Sequence, residues 1–181
     1  MNMCLVAIAI IIILFILITI IEYNSIKRLQ LKVQQSKSSI EIYLKERFDL
    51  IPNLVNIVKG YANYEKDLFT DIVKTRNQYE ETKNLKLGEE VDNKLTQVLL
   101  RVENYPEIKA NDQFLNLQEN LARLENQIQA ARRIYNADVT EYNTKLATIP
   151  TNIFAKIFSF KEEELLSYGN VSENINIDMN F

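Results

Sequence analysis

The sequence predicts an all-α protein: an N-terminal transmembrane helix followed by an antiparallel four-helix bundle whose first and last helices are long. Three observations carry this prediction. Residues Met3 to Ile21 are apolar apart from Thr19 and contain no charge. The remaining chain repeats apolar residues alternately three and four apart, the spacing of a helical seam. Only three glycines and three prolines occur in 181 residues, too few for a sheet of many hairpins.

The apolar stretch comes first. At 1.5 Å per residue it spans roughly 27–30 Å, the hydrocarbon thickness of a bilayer. A cleavable signal peptide is the competing interpretation. It is disfavoured because Met1 and Asn2 carry no basic side chain, the apolar run is long, and the exit Thr19-Ile20-Ile21-Glu22-Tyr23 lacks a small-x-small site. Cys4 has no apolar segment ahead of it and is no lipoprotein site. Lys27, Arg28, Lys32 and Lys37 follow the stretch, so positive-inside logic places the short N-terminus outside and the rest in the cytoplasm. The absence of Cys after residue 4 excludes a disulfide framework.

The next helix continues from the anchor. Its expected seam is Ile26, Leu29, Val33, Ser36, Ile40, Tyr43, Arg47, Leu50, Leu54, Ile57 and Tyr61, with a kink at Pro52. Gly60 reads as its C-terminal cap and Asn63 as the N-cap of a second helix, about residues 63–83, with Leu68, Phe69, Ile72, Val73 and Tyr79 inward. A polar loop is expected from Asn84 to Gly88. A third helix over 89–104 presents Val91, Leu95, Val98, Val102 and Tyr105, and Pro106 closes it. The last helix, 112–148, carries Phe114, Leu117, Leu121, Leu124, Ile128, Ala131 and Tyr135, then Val139, Tyr142 and Leu146 after a one-residue drift; Pro150 stops it. The apolar-rich segment from Asn152 to Phe160 is expected to fold against the first helix or to lie among lipid headgroups. Three regions follow: an anchor at 1–21, a helical bundle at 22–160, and a mobile tail at 161–181.

Charge and residue types exclude several functions. The 21 basic and 24 acidic side chains give a net charge of −3, unlike a nucleic-acid binder. No His is present, which removes the usual general base and the Glu-x-x-His pairs of bundle metal sites. The expectation is no enzyme and no cofactor. The partners expected are a bilayer through residues 3–21 and another membrane or cytoplasmic protein. The candidate site is a polar cluster at the kink: Arg47, Asp49, Pro52 and Asn53, with Glu119, Arg123 and Glu125 opposite. Equal rise along antiparallel helices puts Arg47 near Glu125, Asn53 near Glu119 and Asp49 near Arg123. Such a cluster serves either as a docking point at a helix defect or as a polar pairing that fixes bundle register, and single polar seam residues more often do the second. Arg132 and Arg133 suit a contact with lipid phosphate or an acidic partner, but such a pair is more often a solvated face. Tyr61, Tyr64, Tyr79, Tyr105, Tyr135 and Tyr142 fit seam and cap packing better than a ligand pocket.

Several blocks of the chain resemble the LemA family: Tyr23-Asn24-Ser25, Asp49-Leu-Ile-Pro-Asn-Leu-Val55, Val58-Lys-Gly-Tyr-Ala62 and Glu103 to Asn111 with Phe114, Leu117 and Gln118. The likeness continues through Glu125-Asn126, Ala131-Arg-Arg133, Tyr135-Asn136, Tyr142-Asn143 and Pro150 to Phe160. It covers nearly the whole chain after the anchor. The resemblance implies a single-pass bacterial membrane protein with a short outside N-terminus and a helical-bundle domain. It implies no activity and brings no catalytic residue. Glu46 and Phe48 around Arg47 depart from the basic or small residues often found in the family.

Overall fold

The computed structural model of the protein describes residues 2–59, 66–102 and 105–166. All regular structure among them is helical: α1 (Asn2–Phe48), α2 (Ile51–Val58), α3 (Lys66–Thr82), α4 (Leu85–Val102), α5 (Pro106–Lys109), α6 (Asp112–Ala147) and α7 (Thr151–Ile157). The described residues fall into two compact units. One combines the chain up to Lys37 with Arg132–Leu166; the other runs from Ser38 to Ala131.

In the first unit α1 packs antiparallel against the C-terminal part of α6. Glu22 meets Lys145 at 2.9 Å, and Lys32 meets Asp138 at 3.0 Å and Glu141 at 2.8 Å. Ile26, Val33, Tyr135, Val139, Tyr142 and Leu146 fill the seam. Ser36 is buried without penalty because its hydroxyl donates to the Val33 carbonyl at 3.0 Å. Every residue from Met3 to Ile21 except Thr19 is exposed, and the Thr19 hydroxyl donates back to the Phe15 carbonyl. Among the described residues this is the one helix long and apolar enough to cross a membrane.

The second unit is a helical bundle. All six expected seam residues of α6 that fall in it, from Phe114 to Ala131, are buried, as are Val91, Leu95, Val98 and Val102 of α4. Each fully buried aliphatic or aromatic side chain contributes about 1.5–3 kcal/mol relative to exposure. Asn side chains start two of the helices. Asn84 Oδ1 accepts from the Lys86 amide at 2.9 Å, and Asn111 Oδ1 accepts from the amides of Gln113 and Phe114 at 2.8 and 3.2 Å.

Local departures from expectation have physical causes. Pro52 breaks the helix rather than bending it. The proline has no N–H for the preceding turn, so α1 ends at Phe48, Leu50 N–H turns to the Arg47 carbonyl at 3.2 Å, and α2 begins with the proline in its first turn. Past Ile40, Arg47 and Leu54 are buried as expected, but Leu44, Phe48, Ile51, Val55 and Val58 are buried as well, while Tyr43, Leu50 and Ile57 are only half-buried. Several neighbours cover the helix there, so the buried face is broad and follows 3.6 rather than 3.5 residues per turn. The loop expected to reach Gly88 is only Lys83 and Asn84. Gly88 lies inside α4, at a position where a Cβ would meet Leu44 Cδ1 at 3.0 Å and the Tyr79 ring at 3.1 Å. Pro106 opens α5 rather than merely closing α4. The caps expected at Gly60 and Asn63, with Tyr61 and Tyr64, lie outside the described residues.

Candidate functional site

Arg47 is the centre of the polar cluster. It sits on the last turn of α1 and is only 3% exposed. Its guanidinium pairs with Asp92 of α4 and Glu125 of α6. Glu125 also accepts from Gln129 Nε2 at 2.6 Å. One buried cation thus ties three helices, and the arrangement is worth its desolvation only while each acid keeps that partner. Arg47 and Glu125 are brought together as their heights along the helices suggest. Asp92 is the residue that sequence reasoning missed. It neighbours Val91 on the inward face of α4, and the signal was the buried Arg47 itself, which a single half-exposed carboxylate does not fully compensate.

The other candidates separate. Asp49 does not reach Arg123; it pairs with Lys45 at 2.8 Å and with Arg76 of α3 at 2.9 Å. The Lys45 hydrogen bond, then the Lys45 charge and Arg76, hold the Asp49 carboxyl below its ordinary range against some desolvation. Arg123 instead donates to Gln127 at 3.2 Å along its own helix. Pro52, Asn53, Glu119 and Arg123 are exposed. Asn53 lines a groove of about 450 Å³ with Leu50, Asn56, Ile57, Gln113, Leu117 and Asn120, and Glu119 is not part of that lining. Equal rise pairs positions only along one continuous helix. The break before α2 turns Asp49 towards α3. The groove presents amides and no charge, a surface suited to neutral hydrogen-bonding groups.

The first unit holds two further features. A groove of about 760 Å³ is lined by Ile21, Asn24, Ser25, Arg28, Leu29, Glu141, Thr144, Lys145 and Thr148. At its edge Glu22 accepts from Lys145 and from the Thr151 hydroxyl, and those two hydrogen bonds depress its carboxyl. The second feature is an extended strap, residues 160–166, laid along α6. The Asn136 amide exchanges two hydrogen bonds with the backbone of Leu166, both at 2.9 Å, and Asn143 does the same with Glu163 at 2.8 and 3.0 Å. The hydroxyls of Tyr135 and Tyr142 donate to the carbonyls of Glu164 and Lys161. Two Tyr-Asn pairs seven residues apart therefore present the same donors and acceptors on one helix face. The tail expected to be free from 161 is held at least to Leu166. Arg132 is buried rather than part of a solvated face, while Arg133 is exposed. Tyr79, Tyr135 and Tyr142 are buried in the packing and Tyr105 is half-buried.

These features define an all-helical protein with one exposed, membrane-length apolar helix, a bundle that holds a buried Arg47–Asp92–Glu125 cluster, and amide clamps on the C-terminal part of α6. The chain belongs to the LemA family, whose model matches residues 36–181. It is 26% identical over 138 residues to Protein LemA of Metamycoplasma hominis, covering 74% of this chain and 63% of the relative. It is 24% identical over 180 residues to Magnetosome protein MamQ 2 of Paramagnetospirillum magneticum, covering 83% of this chain and 66% of the relative. A similar match, 22% identical over 180 residues with the same coverage, is Magnetosome protein MamQ of Magnetospirillum gryphiswaldense. The chain thus spans a little under two thirds of the length of these relatives.

Proposed function

We propose that this chain is a single-pass, membrane-tethered scaffold that holds a helical bundle at the cytoplasmic face, where another membrane or cytoplasmic protein docks, and that it catalyses no reaction. One observation carries the reading: the exposed apolar helix from Met3 to Ile21 continues without interruption to Phe48, where its last turn is pinned by Arg47. A continuous helix transmits position from a bilayer to a folded domain better than a flexible linker does. The buried cation of the polar cluster, Arg47, is paired with Asp92 and Glu125. Lys27, Arg28, Lys32 and Lys37 after the apolar stretch support the cytoplasmic assignment.

A second reading, a membrane-tethered module for a small molecule or lipid, is favoured by the groove beside Arg28 and Lys145, which adjoins the end of the apolar stretch. Photo-crosslinking in native membranes separates the two. A photoreactive residue replacing Asn56 should yield a discrete protein adduct, whereas one replacing Ser25 should yield none larger than lipid. Lipid or small-molecule adducts at Ser25, with no protein adduct at Asn56, would establish the second reading instead.

A further inference from the structure

The segment around α7 leaves three isoleucines on the surface, spaced four apart: Ile149 is 83% exposed, Ile153 57% and Ile157 63%. Its other side is tied down. Phe154, Ala155 and Thr151 are buried, and the Phe154 ring lies 6.2 Å from that of Phe15. Thr151 donates its hydroxyl to Glu22 at 2.8 Å, and beyond the helix Phe158 and Phe160 stand 5.1 and 5.8 Å from Tyr23. These contacts fix the height of α7 on α1. Glu22 is the first charge after the apolar stretch, and Phe15 lies seven residues deeper, about 10 Å along the axis. We infer that α7 with its flanks is a second membrane-contacting element, a foot that sets Ile149, Ile153 and Ile157 into the upper acyl layer of the bilayer.

The inference rests on the anchoring reading of residues 3–21 and adds a contact that a single span does not require. Amphipathic helices at an interface sit about 5–10 Å into the headgroup and acyl boundary, the height at which Phe154 meets Phe15. Tyr23, Phe158 and Phe160 form an aromatic group at the level where such side chains prefer to lie. Lipid is the fitting occupant because the exposed isoleucines belong to a segment that already touches the apolar stretch. A soluble partner would have to enter the bilayer to cover them. Charge contributes little: Lys156 and Lys161 are countered by Glu162, Glu163 and Glu164. The contact is therefore apolar, and a zwitterionic bilayer suffices.

The chain contains no Trp, so single Trp variants report one position each. The full chain would be reconstituted in phosphatidylcholine vesicles with and without bromine on the acyl chains. Ile153→Trp and, independently, Ile157→Trp should emit at short wavelength and lose most of their emission to the brominated lipid, unchanged by high salt. Ile12→Trp, inside the apolar stretch, should be quenched as well, and Leu115→Trp on exposed α6 should not. If Ile12→Trp is quenched while the two α7 variants are not, the foot is wrong and the anchor stands. Short-wavelength emission of the α7 variants without quenching would mean that protein covers them, which overturns the inference. Quenching that appears only with anionic lipid would overturn the apolar contact. An unquenched Ile12→Trp would remove anchor and foot together.

Discussion

A buried guanidinium facing two carboxylates makes Arg47 the residue whose loss the fold tolerates least. Arg47→Ala strands the buried Asp92 without its cation, and breaking such a pair costs about 3–5 kcal/mol. The denaturant midpoint should fall accordingly. The triple change Arg47→Leu, Asp92→Leu and Glu125→Leu should recover much of the loss, since apolar residues of similar volume commonly replace buried ion pairs without penalty. An unchanged midpoint for Arg47→Ala would mean that the cluster contributes nothing to the bundle. Tyr79 tests burial in a different way. Its ring packs edge-on to Phe48 at 5.3 Å, and its hydroxyl finds no hydrogen-bond partner among the described residues. Burial first, then the charges of Glu41 and Glu80, push the phenol up to about 12. The folded state thus holds its proton more tightly than the unfolded chain, whose phenol titrates near 10. That stability is fully present below about pH 10 and is lost as pH rises through about 12. Tyr79→Phe should remove this part of the alkaline loss in melting curves taken between those values. A wild-type and variant pair that decline in parallel would rule out Tyr79 as its source.

At the scale of elements, what was legible depended on how many neighbours a helix has. The α6 stripe from Phe114 to Leu146 could be read in full, because each part of it buries one regular face. The α1 stripe was legible as far as Ile40, at Ile26, Val33, Ser36 and Ile40, with Leu29 only half-buried at the groove. Beyond it the helix is enclosed, the inward face widens, and a seam drawn from two-helix geometry misses Leu44 and Phe48 while claiming Tyr43 and Leu50, which are half-buried. The Arg47–Glu125 pairing needed only helix heights. Asp92 and the Asp49–Arg76 pair needed the rotation of α3 and α4, which no one-dimensional spacing supplies. The strap was unreadable for another reason: an extended segment held by side-chain amides has no periodicity of its own. Its partners were visible as the repeated Tyr-Asn pairs at 135–136 and 142–143, though not what they hold. Replacing both Asn136 and Asn143 by Ala removes four amide–backbone hydrogen bonds, each worth about 0.5–1.5 kcal/mol. Limited proteolysis should then cut between Lys161 and Leu166 while α6 stays intact. Persistent protection of that stretch would show that Tyr135 and Tyr142 suffice to hold it.

For the whole molecule the open variable is orientation, and the structure identifies which charges can be altered to test it. Lys32 cannot be changed cleanly, because it pairs with Asp138 and Glu141. Lys27 hydrogen-bonds to Gln30 along its own helix, and it, Arg28 and Lys37 are exposed. Substituting Asn for Lys27, Arg28 and Lys37, with two lysines introduced at Asn2 and Met3, moves the positive bias across the apolar stretch while leaving the described ion pairs intact. A cysteine at exposed Leu115, in a Cys4→Ser background, reports the side on which the bundle lies. In intact cells a membrane-impermeant maleimide should leave the unaltered chain unlabelled until the membrane is opened. It should label a substantial fraction of the charge-reversed chain at once, because the positive bias then lies on the other side of the apolar stretch. Labelling of the unaltered chain in intact cells would place the bundle outside. Exclusion of both chains would mean that the flanking charges do not set the topology, and that translocating a bundle already tied to α1 through Arg47 is the stronger constraint.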